Sequence, residues 1–329
     1  MELNHITGKE YLEILALGKK PWHDNYLAMY STHWQGFVTD PYLMMVPIDD
    51  HLVHRGDGVF DVFRCVDGRI YQLEAHLERL ERSAKAISLD LPPQYAQVRE
   101  IVKALLVKAL ALKDVQNNCI IRIILSRGPG GFSTNPMECP SSHMYINVIR
   151  YRPPPKKYYQ EGISTLTSKV PVKEAYFANI KSCNYLPNVL MSMEAVKAGH
   201  SFAIGLDDSH GLAEGATENV AVLTKDGTLK FPPFDRTLAG ITATRVSELA
   251  EKLVAENRIK HVDFDRIPLE EVYQSQEMML VGTSINILPV VRHDGRKIGK
   301  GVPGPVYAEL SSLLKRDMRD NTELLTELS

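Results

Sequence analysis

Three consecutive prolines interrupt the chain near its middle, in Tyr151-Arg152-Pro153-Pro154-Pro155-Lys156-Lys157. Consecutive prolines favour an extended, semi-rigid conformation that is common in linkers between domains. Short apolar runs and segments with helical periodicity alternate on both sides of the prolines. A length of 329 residues is enough for two domains. The sequence therefore predicts two α+β lobes, at 25–151 and 158–329, joined by a linker at 152–157 and preceded by an N-terminal appendage at 1–24.

The charge balance and the cysteines exclude several classes of protein. The chain has 38 Lys and Arg against 40 Asp and Glu, so it lacks the basic character expected of a nucleic-acid-binding protein. No apolar run approaches the roughly 20 residues that span a bilayer, and the first residues lack a signal-peptide pattern. The four cysteines are far apart and form no Cys-x-x-Cys pair, which argues against a zinc site or a disulfide framework. We expect a cytoplasmic protein without a metal.

Apolar periodicity predicts the order of helices and strands along the chain. Leu73, Leu77, Leu80 and Ala84 recur at steps of three and four residues, as on one face of an amphipathic helix. Further helices are predicted at 11–17, 98–109, 186–198, 242–256 and from 305 onward, and strands at 58–65, 119–125, 144–151, 163–170, 201–206, 220–224, 261–264 and 278–281. The segment 126–142 is a loop, and its length suggests a function because unstructured loops of this length are uncommon.

Two ionisable residues in the second lobe are candidates for chemistry. Lys181 is predicted between a strand and a helix, where burial can lower the pKa of an amine and make it a nucleophile. Glu214 precedes a Val-rich strand, where a carboxylate can pair with a protonated ring nitrogen. From the local sequence alone, a surface lysine and a turn glutamate remain open alternatives.

A second group of residues is suited to binding an anion. Gly240-Ile241-Thr242 opens a predicted helix, whose first backbone amides and threonine hydroxyl can hold a phosphate. Thr283 and Ser284 add hydroxyls after an apolar strand, and Arg79 lies just off the apolar face of its helix. Arg79 can bind a phosphate through two parallel hydrogen bonds. An ordinary helix cap, a plain turn and a solvated arginine are the alternatives.

Together these segments resemble the class IV aminotransferases, which are pyridoxal-phosphate enzymes of fold type IV. The segments that carry the resemblance are His54-Arg55-Gly56-Asp57-Gly58-Val59-Phe60-Asp61, His76-Leu77-Glu78-Arg79-Leu80, 181–190, 214–219, 238–242 and 282–290. Each segment is short, but their occurrence together in this order is specific. The resemblance covers about residues 42–306. It implies a two-lobed enzyme resembling D-amino acid aminotransferases, with pyridoxal 5'-phosphate in the cleft between the lobes.

The resemblance also implies a role for each matching residue. Lys181 would bind the cofactor covalently as an internal aldimine and move the proton at the substrate Cα. Glu214 would keep the pyridine nitrogen protonated, and Tyr185 would lie near the ring hydroxyl. The phosphate would be bound by Arg79, Ile241, Thr242 and Thr283. The family forms homodimers in which a partner loop completes each site, and residues 127–136 match that loop.

Within the family, the spacing Lys181-x-x-Asn184 and the following Leu186-Pro187-Asn188 resemble D-amino acid aminotransferases. The expected reaction is transamination of D-alanine or a similar D-amino acid with a 2-oxo acid such as 2-oxoglutarate. Aminodeoxychorismate lyase activity, branched-chain transamination and a non-catalytic cofactor-binding scaffold are the alternatives.

The residues that bind the substrate carboxylate in bacterial D-amino acid enzymes are not matched here. Phe60 replaces their tyrosine, and the loop from Arg127 has no Arg-x-His. In a separate departure from the family pattern, Ala243 stands where an arginine usually follows Gly-Ile-Thr. Arg64, Arg55 or Arg127 would then bind the carboxylate. The candidate substrate-binding residues are Phe60, Arg64, Arg127 and Ser284.

Overall fold

The computed structural model describes Met1, residues 3–112, Val115 and residues 117–328. The helices in these residues are α1 (Gly8–Leu17), α2 (His51–Arg55), α3 (Leu73–Ala86), α4 (Val98–Leu110), α5 (Lys156–Gln160), α6 (Ala175–Ala178), α7 (Leu186–Lys197), α8 (Ile241–Ala255), α9 (Leu269–Gln274) and α10 (Pro305–Asp320). Helix α3 buries Leu73, Leu77, Leu80 and Ala84, so the periodic apolar face predicted from the sequence is confirmed.

Seven strands form the first sheet, in the order β16-β4-β3-β5-β6-β1-β2. Their bounds are β1 (Tyr26–Ser31), β2 (Gly36–Val38), β3 (Gly58–Val66), β4 (Arg69–Tyr71), β5 (Cys119–Ser126), β6 (His143–Arg150) and β16 (Leu325–Thr326). The predicted turn between β3 and β4 is confirmed, because Asp67 and Gly68 both adopt positive φ angles, of 48° and 83°. Two such residues in succession give the twist that a two-residue hairpin needs.

The second sheet has nine strands and contains the predicted apolar runs that follow the prolines. Eight of them have the order β12-β11-β10-β13-β14-β7-β8-β9, and β15 pairs with β14. Their bounds are β7 (Ile163–Thr167), β8 (Phe202–Leu206), β9 (Leu212–Gly215), β10 (Asn219–Leu223), β11 (Thr228–Phe231), β12 (His261–Phe264), β13 (Glu277–Gly282), β14 (Asn286–His293) and β15 (Arg296–Lys297). The predicted mixture of helices and sheets is confirmed.

The chain divides into two units, each with its own sheet. The first consists of Met1–Leu73, Ala84–Tyr151 and a short C-terminal stretch from Thr326, and the second of Glu74–Ser83 and Arg152–Leu325. The segment that carries Arg79 precedes the prolines in sequence, yet it belongs to the second unit. Within the described residues, no helix combines the length and the apolar character needed to cross a membrane.

His293, at the end of β14, is expected to make the stability of the second unit depend on pH. Its side chain is fully buried, with Nδ1 and Nε2 hydrogen-bonded to the hydroxyls of Thr165 and Thr167 at 2.9 and 3.1 Å. Burial lowers the pKa of His293 despite the nearby carboxylate of Asp294. Below pH 6.5 the unfolded chain therefore takes up a proton that the folded protein excludes.

We expect the stability advantage of the wild type over His293→Gln to shrink as the pH falls from about 6.5 towards the lowered pKa. The slope is at most about 1.4 kcal/mol per pH unit, because a single proton is involved. Urea unfolding at pH 7.5, 6.5 and 5.5 measures it. His261→Gln, at an exposed position on β12, is the matched control. A stability difference between the wild type and His293→Gln that does not change with pH would contradict the lowered pKa of His293.

Candidate active site

Lys181 lies in the loop between α6 and α7, and it is tied to a helix far away in the sequence. Its backbone N–H donates to Oγ of Ser83 on α3 at 3.2 Å. The predicted strand, β7, does precede Lys181, but the sequence did not predict α6, which lies between the two. This single helical turn is closed by hydrogen bonds from Phe177 and Ala178 to the carbonyl of Glu174, and four residues are too few to show helical periodicity.

Glu214 lies within β9, a strand of its own that the sequence did not predict. Four residues are too short for a recognisable alternation, so this strand had the appearance of a turn. The backbone N–H of Leu238 donates to Oε2 of Glu214 at 3.0 Å. Burial raises the pKa of Glu214 to about 7, although this hydrogen bond and the charges of Lys181 and Lys173 lower it.

A cavity in the second unit brings three of the predicted site residues together. Lys181, Tyr185 and Glu214 all line it. An amine, a phenol and a half-buried carboxylate thus line one cavity, and these groups suit a pyridine ring with a hydroxyl and a reactive aldehyde.

Sequence reasoning missed further polar residues of this cavity, among them Lys173, Asn188, Glu218 and Asn219. Lys173 places its ammonium 5.2 Å from the centre of the Tyr185 ring. Burial lowers the pKa of Lys173, although Glu214 raises it. Glu218 and Asn219 lie in the motif that contains Glu214, so the motif was a signal for them, whereas no pattern marked Lys173.

The predicted phosphate-binding residues lie at the start of α8. Helix α8 begins at Ile241, and its cap residue Gly240 has no side chain that could occupy the first amides. The hydroxyls of Thr242 and Thr283 lie 3.3 Å apart. Arg79 is 5 % exposed, and its Nη1 donates to the carbonyl of Ala239 at 3.2 Å. Helix-terminal amides, hydroxyls and a buried guanidinium form a donor set that suits a phosphate.

The segment Leu238–Gly240 connects the cavity to the start of α8, where the phosphate-binding residues are predicted. We call this part of the site the phosphate end. Leu238 donates to Glu214, Ala239 accepts from Arg79, and Gly240 caps α8. The amide of Asn219 donates to the Leu238 carbonyl at 2.9 Å. A Cβ on Gly240 would come within 1.8 Å of the Asn219 side-chain oxygen, so any other residue there would require the Asn219 side chain to move.

Ser284 and the remaining candidate substrate-binding residues lie outside this cavity lining. Ser284 is exposed in the turn between β13 and β14. Phe60 and Arg64 lie on β3 in the first unit, where the Arg64 guanidinium lies 3.7 Å from the centre of the Tyr151 ring.

Arg127 and Arg55 also belong to the first unit, and both bind protein groups there. Arg127 donates to both carboxylate oxygens of Asp57 at 3.1 Å and to the carbonyls of Ile87 and Ser88. Arg55 donates to the carbonyls of Phe132 and Ser133 in the loop after β5. A substrate carboxylate would have to share Arg127 with Asp57, and the roles of these arginines stay predictions.

Comparisons with known proteins identify the family of the chain. A family model described as "Amino-transferase class IV" matches residues 58–293. The chain is 39 % identical over 295 residues to "D-amino-acid transaminase, chloroplastic" of Arabidopsis thaliana, covering 89 % of this chain and 77 % of that one. It is 31 % identical to a "Putative branched-chain-amino-acid aminotransferase" of Methanocaldococcus jannaschii, covering 82 % and 90 %.

A solved structure shares the fold at lower identity. The branched-chain amino acid aminotransferase of Escherichia coli matches with a TM-score of 0.82 at 24 % identity, covering 93 % of this chain and 100 % of that one. The predicted fold-type IV architecture is therefore confirmed. The family match over most of the chain and the two relatives show that the chain belongs to the class IV aminotransferases, which are pyridoxal-phosphate-dependent enzymes.

Proposed function

We propose that this class IV aminotransferase transfers the amino group of D-alanine or a similar D-amino acid to a 2-oxo acid such as 2-oxoglutarate. The observation that carries the proposal is the cavity shared by Lys181, Tyr185 and Glu214, joined through Leu238–Gly240 to the phosphate end at α8. The similarity to the Arabidopsis thaliana D-amino-acid transaminase supports the choice of substrate.

The residues present fit pyridoxal 5'-phosphate. The amides of Ile241 and Thr242, the hydroxyls of Thr242 and Thr283, and Arg79 would hold the phosphate. Tyr185 would contact the ring hydroxyl, Glu214 the ring nitrogen, and Lys181 would bind covalently. When bound, the cofactor supplies an electron sink for the charge that develops at the substrate Cα.

Glu214 and Lys181 divide the proton chemistry between them. The carboxylate of Glu214, whose pKa burial raises to about 7, would accept a hydrogen bond from the protonated ring nitrogen and stabilise its positive charge. Its position is fixed by the Leu238 N–H. The Lys181 amine would have a different task, which is to accept and hold the proton of the substrate Cα. Phe60, Arg64, Arg127 and Ser284 are proposed to contact the substrate.

A second candidate function is transamination of branched-chain L-amino acids. This candidate is supported by the similarity to the Methanocaldococcus jannaschii relative, which is named as a putative branched-chain-amino-acid aminotransferase.

A spectral screen separates these activities. We expect D-alanine alone to convert the cofactor absorbance of the holoenzyme to that of pyridoxamine phosphate, and 2-oxoglutarate to reverse the change. L-leucine is the comparison substrate. Conversion by L-leucine and not by D-alanine would support the branched-chain activity. No conversion by any amino acid would overturn both and favour the aminodeoxychorismate lyase reaction.

We also propose that the enzyme is a homodimer. Helix α7 exposes Leu186, Val189, Leu190, Met193 and Val196, and large exposed apolar patches mark association surfaces. Sedimentation equilibrium tests this, and a mass of 37.0 kDa would contradict it.

A reducing compartment such as the cytoplasm is proposed as its location. The four cysteines are free, as expected where thiols stay reduced. The Arabidopsis thaliana relative is named as chloroplastic. Imaging of the tagged protein in its native cell distinguishes these compartments, and an oxidising one would contradict the proposal.

A further inference from the structure

Ser83 on α3 makes a contact that the proposed chemistry does not yet use. Its side chain is 1 % exposed, and its Oγ accepts the hydrogen bond from the Lys181 N–H at 3.2 Å. Neighbouring backbone hydrogen bonds in the Lys181 loop are local, from Ser182 to Ile180 and from Tyr185 to Cys183. Ser83 therefore fixes the backbone of Lys181 from outside its own loop.

The same turn of α3 also reaches the phosphate end. Residues four apart in a helix lie on one face, so Arg79 and Ser83 point to the same side. Arg79 donates to the Ala239 carbonyl, directly before the cap of α8. One rigid helical turn thus contacts the loop of the lysine and the segment that begins the phosphate site.

We infer that Ser83 is a positioning residue for Lys181, and that the turn Arg79–Ser83 sets the distance between the lysine and the phosphate end. This inference rests on the roles proposed above for Lys181 and Arg79. Ser83 acts through the lysine backbone and is not itself a catalytic residue.

The consequence of losing the hydroxyl follows from the geometry. In Ser83→Ala, the Lys181 N–H loses its hydroxyl acceptor on α3, and the loop can shift relative to the phosphate end. A displacement of about 1 Å between reacting groups can slow a reaction about 100-fold. The contacts proposed for the phosphate with Arg79 and α8 do not involve the Ser83 hydroxyl and stay in place.

The test compares Ser83→Ala with Ser83→Thr, which keeps a hydroxyl, and with Ser311→Ala. Ser311 is a buried helical serine on α10 and controls for the loss of a buried hydroxyl. Pyridoxal 5'-phosphate is added to the cofactor-free proteins, and its equilibrium affinity is measured by fluorescence. Covalent attachment is followed by borohydride quenching and mass spectrometry, and the pH midpoint of the bound-cofactor absorbance is recorded.

We expect Ser83→Ala to slow covalent attachment about tenfold or more and to shift the pH midpoint, with affinity changed by less than about threefold. Ser83→Thr should restore both, and Ser311→Ala should behave as the wild type. Equal effects of Ser83→Ala and Ser311→Ala, or an unchanged rate and midpoint, would overturn the inference.

If circular dichroism shows that Ser83→Ala does not fold, Ser83→Cys, with its weaker acceptor, replaces it in the same comparison. Attachment requires no amino acid, so a wild type that is inactive with D-alanine overturns the proposed substrate and leaves the Ser83 result standing. A wild type without an adduct on Lys181 overturns both.

Discussion

Replacing Lys181 with alanine is expected to lower kcat/KM by at least about 10³-fold and to leave no borohydride-trapped cofactor on the protein. The variant lacks both the amine that binds the cofactor covalently and the base that moves the substrate proton. Steady-state kinetics and mass spectrometry of the reduced protein measure the two effects separately.

Lys173→Ala is the matched control, because Lys173 is a second lysine that lines the cavity. Its ammonium lies over the Tyr185 ring, so we expect a smaller loss of activity and an adduct that still maps to residue 181. An adduct that persists in Lys181→Ala, or one that is lost only in Lys173→Ala, would show that the covalent role belongs to a different lysine.

Much of this site could be predicted from the sequence because its residues lie in short contiguous motifs. Lys181, Glu214 and Thr242 each have a plain structural alternative, and only their joint order separates a site from isolated polar residues. The long periodic elements were predicted for a related reason. Helix α3 carries enough apolar positions to define its period, and strand β3 is a long apolar run; the bounds of both agree with the prediction within a few residues.

The parts that the sequence did not reveal depend on contacts between distant residues. Ser83 and Lys181 are 98 positions apart, and nothing in either local pattern marks the hydrogen bond between them. The assignment of Glu74–Ser83 to the second unit likewise depends on where the helix packs. Strand β9 and helix α6 are held by their neighbours, and four residues each carry too little periodicity to be detected.

The second large effect is expected for Glu214→Gln, with kcat/KM lower by about 10²–10³-fold. An amide has no charge to keep the ring nitrogen protonated, so the cofactor withdraws less charge from the substrate Cα. The amide oxygen can still accept the Leu238 N–H, which keeps the loss of stability small. The cofactor should remain bound, with altered absorbance and a slowed half-reaction.

Glu218→Gln is the sharpest comparison, because Glu218 is a second carboxylate that lines the same cavity, and it is buried. Burial raises its pKa as well, but its oxygens are occupied by the amide and hydroxyl of Thr217. Each oxygen of Glu218 already accepts a hydrogen bond from Thr217, so we expect the loss of Glu218 to cost activity less than the loss of Glu214. Stopped-flow absorbance with D-alanine compares the two variants. A larger loss of activity in Glu218→Gln than in Glu214→Gln would indicate that Glu218 contacts the ring nitrogen. Full activity in Glu214→Gln would show that the ring nitrogen does not require the Glu214 carboxylate.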